Sequence, residues 1–190
     1  MIAPFPANQN TGRAFRLAAL ALFGLLGGGC ATSAQPKLLT EFYLSSPAGT
    51  GVELTLPNSQ LVQHRQADPF LNEANVLHVL AGTIDMNASP NSAAITVPCI
   101  WVYFDREGLR QIQMHTIAEN FGKKIYMFAA EANKPPVPVA VHPITQTIAD
   151  GPLMMFLEVP GAQDDPKKFS AYVADLEESA QRVQAIKRKQ

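Results

Sequence analysis

Residues 94–129, AITVPCIWVYFDREGLRQIQMHTIAENFGKKIYMFA, hold the plainest fold signals in the chain, one after another. Residues 94–104 are rich in Ile, Val, Trp, Tyr and Phe, side chains that suit a pleated, half-buried surface, and they read as a strand. Pro98 cannot donate to a ladder, so it points to an edge position or a bulge within that strand. Asp105 stands where a side-chain oxygen caps a helix. Behind it Leu109, Ile112, Thr116, Ile117 and Phe121 share one face by three-and-four spacing, with Gly122 as the stop. Residues 124–129 read as the next strand.

Downstream, the proline-rich residues 134–138 read as a loop, and residues 153–159 as a strand after the turn Asp150, Gly151, Pro152. Asp165 and Pro166 open a last helix as N-cap and first residue. Phe169, Tyr172, Val173, Leu176, Ala180 and Val183 line one side of it, and Lys187, Arg188 and Lys189 suit the negative end of its dipole. Upstream, residues 39–44 and 52–56 read as strands across a turn-rich connection, and residues 61–64 as a short third one. Residues 72–80, with Val76, Leu77, Val79 and Leu80 after a polar start, predict a helix that Gly82 ends; residues 87–92 read as a loop. No internal repeat interrupts this order, which predicts an α+β fold with helices packed on one face of an antiparallel sheet.

A chain of 190 residues, 47% hydrophobic and 16% charged, has room for one globular domain and a short appendage. The formal charge of -1 leaves no basic footprint for nucleic acid.

The appendage is at the N-terminus. Residues 1–16 contain Arg13 and Arg16 and no carboxylate, and residues 17–29, LAALALFGLLGGG, form an apolar run of signal-peptide length. A transmembrane helix needs about 20 apolar residues, and Gly27, Gly28 and Gly29 would break its last turn. A buried helix is disfavoured because the run has no polar face. The small residues lead directly to Cys30, an arrangement that resembles the lipobox of bacterial lipoproteins. That resemblance implies cleavage before Cys30, diacylglycerol on its sulfur, and a domain facing the periplasm. It departs from the pattern at Gly27, where a leucine is usual, with Leu26 one place further out. Ordinary cleavage after Ala31 or Ala34 is the alternative. Ala31 rather than Asp after the cysteine implies the outer membrane in a Gram-negative host. The expected organisation is a signal peptide over 1–29, a lipid-anchored tether over 30–37, and a domain over 38–190. Cys99, among Val97, Ile100, Trp101 and Val102, reads as a small buried hydrophobe.

The string FDREGLRQIQMHTIAENFGK at residues 104–123 resembles the head of the first periplasmic domain of SecD, a subunit of the bacterial export motor. Asp105, Glu107, Gly108, Thr116, Asn120, Gly122 and Lys123 occupy the places of that family's motif, and Ile144, Ile148 and Gly151 match a pattern that follows it. The resemblance implies a ferredoxin-like head module and contact with envelope proteins or exported polypeptides. SecD continues into membrane spans, whereas no long apolar run follows residue 30 here.

Signatures of chemistry are missing. His64, His78, His115 and His142 stand apart from one another and from acids at ligand spacing, so no metal is expected. No serine sits in GxSxG, and Gly122, Lys123, Lys124 lacks the glycine of a phosphate loop, so no cofactor is expected either. Asp164 with Asp165 and Glu177 with Glu178 fit a helix start and a solvated helix face. The expected function is a non-enzymatic, lipid-anchored periplasmic module that binds protein; the alternative is a periplasmic immunity or enzyme-inhibitor lipoprotein.

Overall fold

The computed structural model describes residues 36–58, 62–86, 95–131, 133–162 and 164–189. The export segment, Cys30, the tether up to residue 35 and the expected loop at 87–92 lie outside the described residues.

In chain order the elements are β1 (Leu38–Leu44), the hairpin strands β2 (Val52–Thr55) and β3 (Val62–Arg65), the short β4 (Leu71–Asn72), a 3-10 turn (Glu73–Asn75), β5 (Val76–Met86) and β6 (Ile95–Phe104). Helix α1 (Arg106–His115), a second 3-10 turn (Ala118–Asn120), β7 (Lys124–Glu131), β8 (Val137–Pro143), β9 (Leu153–Leu157) and helix α2 (Pro166–Lys187) complete it. Seven strands form one antiparallel sheet in the order β4-β1-β7-β8-β9-β6-β5, while β2 and β3 form a two-stranded hairpin that a bridge between Arg65 and Ser45 ties to the end of β1. The large sheet curls into a half-barrel.

That architecture corrects the ferredoxin-like expectation. The segment expected as a helix at 72–80 is β4, a 3-10 turn and the start of β5, and the segment expected as a loop at 134–138 runs into β8. Both changes add strands, so the sheet dominates and wraps around its helices. The reason at β5 is local. Val76 pairs with Phe104 and His78 with Tyr103, so Leu77 is an extra residue in the strand. This bulge breaks the two-residue alternation and leaves Val76, Leu77, Val79 and Leu80 with helical spacing.

The inner face of the half-barrel holds the main core. Phe42, Ile100, Val102, Met127, Leu153 and Met155 from the sheet pack with Ile112 of α1 and with Phe169, Val173 and Leu176 of α2. The expected apolar side of α2 is the buried one, and Asp165 caps it through the Lys167 and Lys168 amides. Helix α1 is shorter than its periodicity suggests. It ends at His115, and Ile117 and Phe121, expected on its buried face, are exposed beyond it. Among the described residues the outer face is covered at one end, where the β2–β3 hairpin sets Leu54 and Leu56 against Tyr43, Tyr126 and Phe128. Arg65 of that hairpin lies 3.8 Å over the Tyr43 ring and 4.9 Å from that of Phe128, a cation-π clamp on the covered end.

Pro98 sits in an interior strand, not at an edge or a bulge. The β6–β9 ladder runs from Val102 opposite Leu153 to Cys99 opposite Phe156, so Pro98 lies just past its end, where a missing N–H costs no bond.

Candidate functional site

The motif residues divide between the two ends of α1. At its start, Asp105 Oδ1 accepts from the Gly108 amide at 2.7 Å and from Asn75 Nδ2 at 3.3 Å, and Oδ2 accepts from Lys187 Nζ at 2.8 Å. Burial alone would push the Asp105 carboxyl up, but Lys187, the Gly108 amide and Asn75 together hold it below the usual carboxylate range. Gly108 allows a close approach here, since a Cβ would stand a tight 3.0 Å from the Cβ atoms of both Asn75 and Phe104. Glu107 is exposed and pairs with Arg110 and Gln111, whose hydrogen bonds pull its carboxyl down to about 2.

Beyond the helix, the fully buried Thr116 donates to the Ile112 carbonyl at 2.9 Å and accepts the Ile148 amide at 3.0 Å. Asn120 Nδ2 donates to the His115 carbonyl at 3.0 Å, and its Oδ1 accepts from Lys123 Nζ at 2.7 Å. Gly122 adopts φ +85°, and its amide reaches the Ile144 carbonyl at 2.9 Å. Apart from Glu107, whose partners lie on its own helix, these groups shape α1 and its flanking loops and tie them to the rest of the domain. They do not converge on an opening.

The histidines are equally dispersed. His78 Nδ1 meets Glu177 at 2.9 Å, His115 stacks on Phe70 at 4.2 Å, and the His64 ring accepts the Gly49 amide at 3.3 Å. His142 is buried on β8; its Nδ1 lies 2.7 Å from the Met154 carbonyl, while Nε2 has no partner among the described residues. Among the described residues no three His, Cys, Asp or Glu side chains gather as a metal would require. A polar cluster under the hairpin joins Lys124 and the Tyr126 hydroxyl to Gln63, but burial pushes the Tyr126 phenol up to about 12, which keeps it protonated. Cys99 is fully buried, and burial raises its thiol, which makes it inert rather than nucleophilic.

The fold does leave open a strand edge. Among the described residues β5 pairs with β6 on one side and with no strand on the other. Along its first half, α2 satisfies that free edge: Glu177 accepts the Val79 amide at 2.6 Å, and Gln184 donates to the Val76 carbonyl at 2.8 Å. The Val79 amide therefore faces away from β6. With no register shift between His78 and Met86, alternation turns the backbone groups of Ala81, Thr83 and Asp85 the same way. Those groups meet no partner among the described residues.

A groove of about 470 Å³ lies beside this open edge. Ala81, Thr83, Thr96 and Pro98 form its floor, and Pro166, Phe169 and Ser170 of α2 its wall; no lining residue is charged. On the outer face of the same strands the hairpin does not reach. There Leu80 is 46% exposed and Tyr103 37%, with the partly buried Trp101, Met154 and Phe156 between them and the covered end.

Searches with the chain found no matching protein-family model, curated protein or solved structure. No helix among the described residues is long and apolar enough to cross a membrane. The open edge was hidden in the sequence by the bulge at Leu77. The signal that could have shown it is the β-branched content of Val76, Val79, Thr83 and Ile84, which continues past Gly82.

Proposed function

We propose that this chain is a non-enzymatic protein-binding module of the bacterial periplasm, exported by residues 1–29 and held by a lipid on Cys30 at the outer membrane. The observation that carries the binding reading is the unpaired half of β5, an exposed row of backbone donors and acceptors next to an uncharged groove. Native proteins blunt such edges, and here α2 caps only the first half. The dispersed histidines and the scaffold role of the motif residues favour binding over catalysis. The apolar outer face around Leu80 and Trp101 points in the same direction.

Two measurements test the two parts. The mass of the protein extracted from membranes should correspond to a chain beginning at an acylated Cys30; a start at Thr32 or Gln35 refutes the anchor. Photo-crosslinking residues placed at Thr83 and Leu80 in intact cells should each yield an adduct with an identified envelope or exported protein, and one at the exposed Glu119 should not. Silence at both positions refutes protein binding.

A further inference from the structure

The binding mode follows from the same edge, and it rests on the protein-binding reading above. We propose that an extended polypeptide segment adds to β5 as an eighth strand, lying between β5 and the N-terminal half of α2. The recognition is backbone to backbone. Ala81, Thr83 and Asp85 each turn one N–H and one C=O outward, so a chain laid alongside meets a ladder at the spacing of a normal sheet. The inner-face side chains of the added strand enter the groove, whose floor and wall are Ala, Gly, Thr, Pro, Phe and Ser. An uncharged lining favours uncharged side chains at alternate positions of the segment, since a charge placed there would lose water and gain no partner.

The limits of the site are also set by named groups. The added strand cannot extend toward the start of β5, because the Glu177 carboxylate already occupies the Val79 amide and Gln184 the Val76 carbonyl. The ligand is therefore a short extended stretch rather than a whole sheet edge.

A second copy of the chain is the other occupant an open edge invites, and charge argues against it. In a two-fold pairing that uses all three outward positions, Thr83 lies on the axis and Asp85 of one copy stands opposite Ala81 of the other. Residues directly opposite share a face, so Asp85 would enter the uncharged groove. In the single chain Asp85 is instead satisfied by the Thr96 hydroxyl at 2.7 Å.

The experiment uses the full chain purified in detergent and, as probe, reduced carboxymethylated α-lactalbumin, an unfolded polypeptide. Amide exchange in the free chain should be fast at Ala81, Thr83 and Asp85 and should slow when the probe is added. Thr83→Pro removes an outward N–H that the sheet itself does not use, so the variant should fold yet bind roughly tenfold or more weakly. Glu119→Lys, at the exposed position that serves as the crosslinking control, should bind as before. Slow exchange at Thr83 in the free chain, or unchanged binding by Thr83→Pro, overturns strand addition. Concentration-dependent dimerisation abolished by Thr83→Pro overturns the polypeptide as occupant in favour of a second copy. If the probe fails to bind while adducts persist at Leu80 in cells, strand addition fails and protein binding survives. If adducts vanish at both positions, protein binding fails with it.

Discussion

Replacing Asp105 by alanine should cost about 2 kcal/mol of folding stability, because this carboxylate joins three elements that are distant in sequence. The first contribution is the cap. Oδ1 accepts the Gly108 amide at 2.7 Å, and losing an N-cap costs about 1 kcal/mol. The second is the ion pair with Lys187 at the end of α2; with the lysine half exposed, this is worth at most about 1 kcal/mol. The third is the long bond from Asn75 Nδ2 at 3.3 Å, about 0.5 kcal/mol. In a domain of this size a loss of about 2 kcal/mol lowers the melting temperature by roughly 4–8 °C. Asp105→Ser keeps a capping oxygen without the charge and should recover about half of the loss. The acid branch has a defined sign. The folded-state pKa lies below the unfolded one, so the contribution is present above about pH 4 and disappears as pH falls through the folded value. Urea denaturation of wild type, Asp105→Ala and Asp105→Ser at neutral and acid pH measures all of this. An Asp105→Ala loss below about 0.5 kcal/mol, within the range of an ordinary surface substitution, refutes the three-way junction. So does an Asp105→Ser variant no better than alanine.

Thr116→Val is nearly isosteric but strips the Ile148 amide of its acceptor in a partly buried loop, and should cost about 1–3 kcal/mol in the same urea assay. His142 is pushed down by burial, so the unfolded chain takes up a proton more readily than the folded one. Stability should fall as pH drops below about 6.5, and His142→Gln should flatten that slope in urea midpoints read across the range. Gly82→Ala places a Cβ 2.3 Å from Trp101 Nε1 and 2.6 Å from its Cδ1, so the indole must move. Trp101 is the sole tryptophan, and its emission should shift, with a stability loss of about 1–3 kcal/mol; an unchanged spectrum contradicts the packing.

Elements with local punctuation were legible in the chain, and those defined by partners were not. Asp105 and Asp165 announced α1 and α2, because capping is chemistry between a side chain and amides two or three residues away. β6 and β7 were legible because they are long and rich in β-branched and aromatic residues. β8 was hidden by Pro138, which reads as a loop residue. It is tolerated because the β7–β8 register shifts beside it, between Phe128 opposite Pro138 and Met127 opposite Ala140. The end of α1 was misread for a different reason: Ile117 and Phe121 keep the helical period, yet Thr116 is already a cap and both side chains are exposed. Periodicity alone cannot distinguish a buried stripe from apolar residues left outside.

The same contrast bears on where function resides. The motif positions from Asp105 to Lys123 were conspicuous in the sequence because caps, tight turns and close approaches demand particular residue types. Those demands are met by contacts inside the domain. A residue consumed by the scaffold has no valence left for a partner, so a recognisable string is evidence of how the chain folds before it is evidence of what it binds. The open half of β5 is the reverse case. Its binding capacity resides in backbone groups, which every residue carries, and so Ala81, Gly82 and Thr83 were silent as a motif. What makes the site selective is the place where α2 stops covering the edge, set by Glu177 and Gln184 nearly a hundred residues or more away from the strand they cap. Glu177→Ala should therefore lengthen the open edge by one position. The Val79 amide, protected by the carboxylate in the wild type, should then exchange as fast as Thr83, and a Val79 amide that stays protected would mean that something other than α2 governs that edge.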